Sequence, residues 1–148
     1  MLEGAGDEMS VRLVLVAGSL MLAGCGTTGM DRGGAGVSSQ SGSVPSTVIS
    51  AMGGGLVSGS IGSGLSGSER RCGLEAEYKA LEYTPSGQTV TWKGNQSSRY
   101  GEVVAAQPYR VGSQDCRQYT HTVHTGGTGV SARGTACRNA DGSWTPLT

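Results

Sequence analysis

The spacing of apolar residues divides the chain into three stretches of different character. An uncharged, mostly apolar run covers Leu13 to Ala23, directly after Arg12. Residues 33–68 carry no charge, and their larger apolar side chains are separated by Gly and Ser. From residue 69 onward the charges return, and apolar and polar residues alternate along several short runs. Alternation with a period of two is typical of strands that bury one face.

The first apolar run has the size of an export signal. A helix needs about 20 apolar residues to cross a bilayer, and this run has 11. A short apolar run that follows a basic residue is typical of the central region of a signal peptide. We therefore predict that residues 1–24 form a signal peptide.

The end of that run resembles the lipobox of bacterial lipoproteins, because small residues precede a cysteine in Leu22-Ala23-Gly24-Cys25. The resemblance implies cleavage before Cys25 and lipid attachment to its thiol, so that membrane lipid becomes a partner of the protein. Several acyl chains hold a protein stably on a membrane. Residue 26 is Gly rather than Asp, which by the same resemblance favours the outer membrane. The sequence leaves open whether the periplasmic or the surface face carries the domain.

The glycine-rich part after Cys25 has two sections, and the second supports two interpretations. Residues 25–47 have the composition of a lipidated, flexible tether. Residues 48–68 contain larger apolar side chains, and on a helix Gly55, Gly59 and Gly62 would share one stripe where a second helix could pack closely in lipid. The opposing interpretation is a disordered linker, because each Gly costs about 1 kcal/mol of helix propensity relative to Ala.

The charged C-terminal part predicts a helix followed by antiparallel strands. Ser68 can cap a helix from Glu69 to Glu82, which a turn at residues 84–87 ends. Strand-like runs follow, separated by short turns rich in Gly and Asn, at 88–92, 100–109, 115–125, 129–138 and 143–145. Short connections join antiparallel neighbours. We predict an α+β domain over residues 69–148, a short helix with a meander of four or five strands.

The domain is small enough to need a covalent staple. All five Tyr and both Trp follow residue 77, which restricts a packed core to the C-terminal part. Cys116 and Cys137 lie on neighbouring predicted strands, so they can form a disulfide in an exported protein. Closing that loop of about 20 residues would contribute roughly 3 kcal/mol. Cys72 remains either a free thiol or a bridge to another chain.

The sequence offers no site for catalysis, a metal or a cofactor. No C-x-x-C pair is present, and His121 and His124 point to opposite faces of one predicted strand, which makes a poor metal pair. No Ser stands in a G-x-S-x-G turn. The formal charge of the chain is zero, so nothing predicts a nucleic-acid partner.

Several motifs together resemble the rickettsial 17 kDa surface antigen family of glycine-zipper outer-membrane lipoproteins. They are Gly87-Gln88-Thr89-Val90-Thr91-Trp92, Cys116-Arg117-Gln118-Tyr119, Gly134-Thr135-Ala136-Cys137-Arg138 and Asp141-Gly142-Ser143-Trp144. The resemblance implies a non-enzymatic surface antigen with a structural or organising role in the envelope. Its partners would be other copies of itself or outer-membrane proteins. The alternative is a binding module that inhibits a hydrolase such as lysozyme.

Overall fold

The computed structural model describes residues 44–147. Two helices and two 3₁₀ turns precede six strands. In chain order the elements are α1 Ser46–Ala51, 3₁₀ turns Leu56–Ser58 and Ser60–Gly62, α2 Gly67–Glu82, β1 Thr89–Lys93, β2 Arg99–Ala105, β3 Tyr109–Val111, β4 Gln114–Thr125, β5 Thr128–Arg138 and β6 Trp144–Leu147.

The six strands form one antiparallel sheet, which confirms the predicted meander. The strand order is β1-β2-β4-β5-β6, and β3 pairs with β4 as well. Strand β2 pairs with the second half of β4 and β3 with its first residues, so both lie along the same edge of β4. The single strand predicted at 100–109 is therefore wrong. Residues 106–108 interrupt it, and Pro108 there has no amide hydrogen to donate to a ladder.

Helix α2 begins two residues before its predicted start. Its N-cap is Ser66 rather than Ser68. The Ser66 hydroxyl accepts a hydrogen bond from the Glu69 amide, and the Glu69 carboxylate accepts one from the Ser66 amide. This reciprocal capping box satisfies two donors that the first turn of a helix would leave unpaired.

One face of the sheet is covered and the other is open. From Arg117 to Val123 every second residue of β4 is buried against α2, namely Arg117, Tyr119, His121 and Val123. The other face carries mostly Thr and charged side chains. A sheet with one packed and one solvated face is the usual consequence of period-two patterning.

Residues 44–65, which we call the glycine segment, pack into the core of this domain. Their buried side chains belong to the same apolar cluster as Trp92 and Tyr119, and they are Val44, Ile49, Met52, Val57, Ile61 and Leu65. The segment therefore differs from both interpretations of residues 48–68, the continuous helix and the unpacked linker. It also joins the domain that the sequence started at residue 69.

Consecutive glycines explain why no continuous helix forms. Gly53, Gly54 and Gly55 all have positive φ, a backbone conformation that ends a right-handed helix. Gly55, Gly59 and Gly62 consequently do not share a helical stripe, and the predicted helix-packing face is not formed. None of the helices within residues 44–147 has the length and apolar character that a membrane crossing requires.

Candidate functional site

Three fully buried side chains form a hydrogen-bonded chain between the sheet and α2. The Trp92 indole donates to Nε2 of His121 over 2.9 Å, and Nδ1 of His121 lies 2.7 Å from Oε1 of Glu77. Because Nε2 accepts a hydrogen bond, the ring proton sits on Nδ1 and is donated to the carboxylate. His121 is thus a neutral imidazole held in one tautomer by two partners.

Glu77 also holds the glycine segment. Its two carboxylate oxygens accept hydrogen bonds from the amides of Leu56 and Val57, each over 3.0 Å. These amides open the first 3₁₀ turn, where unpaired N–H groups favour a negative charge. We call the set of Trp92, His121, Glu77 and these two amides the Glu77 network.

Glycines provide the space that this network needs. A Cβ at Gly55 would overlap Oε2 of Glu77, and one at Gly62 would overlap the Val57 carbonyl oxygen. A Cβ at Gly134 of β5 would lie 2.9 Å from the Leu56 side chain. The small residues of the glycine segment therefore allow close packing within this chain.

Tyr119 lies beside the network with an unusual hydroxyl. The side chain is buried, and its oxygen finds no hydrogen-bond partner among residues 44–147. Burial, and next the nearby Glu77 carboxylate, raises the pKa of this hydroxyl above its ordinary value. Because this buried hydroxyl stays protonated, it adds no second negative charge beside the Glu77 carboxylate.

Arg117 joins β4 to the end of α2. Its guanidinium is buried and donates to the carbonyls of Ala80, Leu81, Thr84 and Ala106 and to the Ser86 hydroxyl. Burial lowers the pKa of this group. The last carbonyls of a helix lack intrahelical partners and carry partial negative charge, which a cation stabilises.

A second arginine fixes the same end of α2 to the last strands. Arg138 donates two hydrogen bonds to the Glu82 carboxylate, each over 2.8 Å, and the Trp144 indole donates a third over 2.8 Å. The bonds from Arg138 lower the pKa of Glu82. Nearby, the Tyr78 hydroxyl donates to the Gly142 carbonyl, and burial raises its pKa to about 12.

Glu69 connects the beginning of α2 to the β1–β2 turn. Burial by itself would raise its pKa, but hydrogen bonds from the amides of Ser66 and Asn95, the Ser66 hydroxyl and Arg99 together lower it to about 2. The distance from Arg99 Nη1 to the carboxylate is 3.1 Å. Both ends of α2 are thus tied to the sheet through glutamates.

The structure confirms the predicted disulfide and tests one alternative for Cys72. Cys116 and Cys137 are direct partners across β4 and β5, and they are bonded. None of the described cysteines is a free thiol, and Cys72 is disulfide-bonded, so the free-thiol alternative is wrong. The predicted lipidation site Cys25 lies outside the described residues.

The two histidines lie on opposite faces of β4, as predicted. His121 is in the buried network, whereas His124 stacks on Tyr100 on the open face, with ring centroids 4.4 Å apart. Within residues 44–147 no three His, Cys, Asp or Glu side chains are grouped in a way that could hold a metal ion.

The buried polar groups connect elements of the fold. His121 and Glu77 form the kind of pair that serves acid–base catalysis elsewhere, but both ring nitrogens are engaged and neither side chain reaches solvent. Glu69, Glu77 and Arg117 instead bind backbone donors or acceptors left at the end of a helix or a turn. The sequence pattern placed His121 and His124 on opposite faces of one strand, but it gave no partner to His121 and no role to Arg117 or Glu77. Charged residues at inward-facing positions were the available signal, because such groups are rarely buried unless paired.

Comparison with known proteins shows that the C-terminal part of the chain is similar to one family. Residues 79–145 match the family model described as 17 kDa outer membrane surface antigen. A 17 kDa surface antigen of Rickettsia bellii strain RML369-C is 40% identical over 85 residues, which are 57% of this chain and 54% of that protein. The 17 kDa surface antigen of Rickettsia rickettsii is 40% identical over 82 residues, 55% of this chain and 52% of that protein.

These similarities have defined limits. The chain spans about half the length of the curated relatives that it matches. No solved structure matches it. The family match includes Arg117, Arg138, the disulfide and Trp144, whereas Glu77 and the glycine segment lie before it.

Proposed function

We propose that this chain is a non-enzymatic outer-membrane lipoprotein of the 17 kDa outer membrane surface antigen family, whose model matches residues 79–145. The lipid on Cys25 would hold the chain on the membrane, and the folded domain would take a structural or organising role in the envelope. Other copies of itself or outer-membrane proteins would be its partners.

The Glu77 network is the observation that supports a non-enzymatic role in this proposal. It contains the only His–carboxylate pair of the described residues that is fully enclosed, and every one of its polar atoms serves to join α2, the sheet and the glycine segment. The second His–carboxylate pair, His124 with Glu102, is partly buried on the open sheet face, with the two groups 3.3 Å apart. Neither pair has the contact to a nucleophilic side chain that covalent catalysis needs.

Lipidation is tested by changing the acceptor. Cys25→Ser is expected to abolish palmitate labelling and to release the protein from the membrane fraction, because acyl chains supply the anchoring energy. Arg70→Ser, a change of an exposed residue within the folded domain, is the control and should leave both readouts unchanged. Palmitate labelling that persists in the Cys25→Ser protein would contradict the proposal.

The disulfide of Cys72 provides an independent test. The sulfur of Cys25 can form a thioether to lipid or a disulfide to Cys72, and not both. If Cys25 is lipidated, mass spectrometry of a non-reduced digest should link Cys72 to a cysteine of another copy. A linked Cys25–Cys72 peptide from the membrane fraction would rule out the lipid on this sulfur.

The side of the membrane is decided by protease shaving. Intact cells are treated with protease, and the domain is detected with an antibody against its C-terminal residues. Loss of the signal in intact cells places the domain at the surface. Loss only after the outer membrane is permeabilised places it in the periplasm.

A second candidate, hydrolase inhibition, draws support from the β3–β4 hairpin. The β3 side chains Tyr109 and Val111 are 43% and 52% exposed, and an exposed aromatic hairpin could enter an enzyme cleft. Tyr109→Ser with Val111→Ser should then abolish the inhibition of lysozyme. Val130→Ser, which changes an equally exposed apolar residue of β5, should retain it. If the unaltered protein does not inhibit lysozyme, this alternative fails for that enzyme.

A further inference from the structure

The turn between β1 and β2 forms a small cavity at one end of the open sheet face. Its volume is about 260 Å³, and its walls include the Lys93, Gln96, Ser97, Arg99 and Tyr100 side chains. That volume lies just below the usual range of about 300–1,000 Å³ for small-molecule sites, which leaves room for a single ring. The cavity lies apart from the Glu77 network, because Tyr100 points away from the packed face while Trp92 and Gly101 face it.

One wall of the cavity is an aromatic ring that is already fixed in place. His124 of β4 stacks on Tyr100 with an interplanar angle of 10°. Strand β2 lies between β4 and β1, so the ring face covered by His124 is on the β4 side and the other face is on the β1 side, where the cavity lies. A fixed ring presents apolar area to a ligand with little loss of side-chain entropy on binding.

The cavity also has an uncompensated positive charge. The Glu69 carboxylate neutralises Arg99, but the Lys93 ammonium has no partner among residues 44–147. The nearest acidic group of the open face, Glu102, interacts with His124 over 3.3 Å, on the side of Tyr100 away from the cavity. A single negative charge on a ligand would therefore meet Lys93 without a competing carboxylate from residues 44–147.

We propose that this cavity binds a six-membered sugar ring that carries a carboxylate. The C–H face of the ring packs on Tyr100, the Gln96 amide and the Ser97 hydroxyl hydrogen-bond its hydroxyls, and Lys93 pairs with its carboxylate. The inference rests on the proposed envelope function, since it names the glycan chemistry that the anchored domain would hold. Peptidoglycan and lipopolysaccharide both contain such acidic sugars.

The test compares sugars that differ in their carboxylate. Full-length protein in detergent micelles is titrated with N-acetylmuramic acid, N-acetylglucosamine and 3-deoxy-manno-octulosonic acid, and dissociation constants are measured by ligand-observed NMR. At least one acidic sugar should bind about threefold to fivefold more tightly than N-acetylglucosamine, the contribution of one exposed ion pair. Preference for the muramic acid indicates peptidoglycan, and preference for the octulosonic acid indicates lipopolysaccharide.

Variants assign the effect to the cavity. Lys93→Gln should remove the preference for the acidic sugar, and Tyr100→Leu should remove binding of every sugar. Arg133→Gln removes an exposed cation from β5 of the same sheet face and should change nothing. Equal binding of acidic and neutral sugars, no binding of any, or binding that survives Tyr100→Leu would overturn the proposal. Fractionation of the Lys93→Gln protein should still place it in the outer membrane, so a failure here is distinguishable from a failure of the anchoring proposal.

Discussion

The glycine segment and the sheet contribute to one core but are held there by different interactions. Neighbouring strands are joined by backbone ladders, and β4 and β5 are also joined by the Cys116–Cys137 disulfide. In residues 44–65 the backbone hydrogen bonds are local, and those that reach the rest of the described chain all end on Glu77. The sheet thus has many redundant contacts, whereas the segment depends on apolar burial and one carboxylate.

This difference explains how a glycine-rich, uncharged sequence can be ordered. Gly pays a large entropic cost on folding, and the segment has few large side chains to repay it. Its apolar residues are nevertheless buried against α2 and the strands, at roughly 25 cal/mol per Å². The segment can be ordered only where the rest of the domain supplies a matching surface.

The largest expected effect comes from a residue of the sheet, Arg117 of β4. Arg117→Ala leaves four carbonyls without their donor, two of them in buried contacts, and we expect it to lower the free energy of unfolding by about 4 kcal/mol. Urea denaturation followed by tryptophan fluorescence measures the loss, because both Trp92 and Trp144 are buried. Arg110→Ala, which breaks an ion pair of exposed side chains, should cost less than about 1 kcal/mol. Equal losses would contradict the assigned role of Arg117.

Glu77→Gln should weaken the glycine segment more than the sheet. An amide in place of the carboxylate cannot accept from Leu56, Val57 and His121 together, so we expect a loss of about 3 kcal/mol. Hydrogen exchange should accelerate at the amides of Leu56 and Val57 while the centre of β4 stays protected. Glu75→Gln is the matched control two residues away, since Glu75 pairs with the half-exposed Arg71. Uniform acceleration across the domain would mean that the segment does not open separately.

Two glycines of the segment distinguish intrachain packing from a helix-packing stripe. Gly62→Ala places a Cβ on the Val57 carbonyl and should cost about 2 kcal/mol. Gly59→Ala places its Cβ 3.3 Å from the Leu56 carbonyl at a negative φ, and should be close to neutral because Ala restricts the unfolded chain. A stripe between helices would make the two substitutions equally harmful, which urea denaturation would reveal.

The smallest expected effect is a dependence of stability on pH at the start of α2. The pKa of Glu69 is lowered in the folded state to about 2, so its contribution is complete above the ordinary pKa and is lost as the pH falls from about 5 to about 2. Between about pH 5 and about pH 2 the free energy of unfolding should fall by about 1–2 kcal/mol less in Glu69→Gln than in the unaltered protein. Urea denaturation of both proteins over this pH range measures the difference. The pKa values of Glu82 and Asp141 are also lowered, so the stabilisation from these two carboxylates is lost as the pH falls as well. Parallel profiles for the variant and the unaltered protein would contradict the capping role.

Period-two patterning was sufficient to predict the strands and the disulfide. The buried face of β4 and the pairing of Cys116 with Cys137 follow from alternation and short turns, which are local signals. The interruption between β2 and β3 was missed, although Pro108 lies in it and cannot donate to a strand ladder. The site was harder to predict, because Glu77 and His121 are 44 residues apart and their pairing requires α2 to lie on β4.

The sequence by itself determined which side chains face inward in the sheet, the short helix before it, the residues able to form the disulfide, and the resemblance to an antigen family. Only the tertiary structure decided the fate of the glycine segment, since its local signals favoured a helix in lipid or no structure at all. The physical reason is that apolar side chains and unpaired backbone groups are buried and hydrogen-bonded by residues that are distant in the sequence. Leu56 and Val57 find Glu77, the last carbonyls of α2 find Arg117, and Gly62 and Gly134 leave the space in which those contacts form.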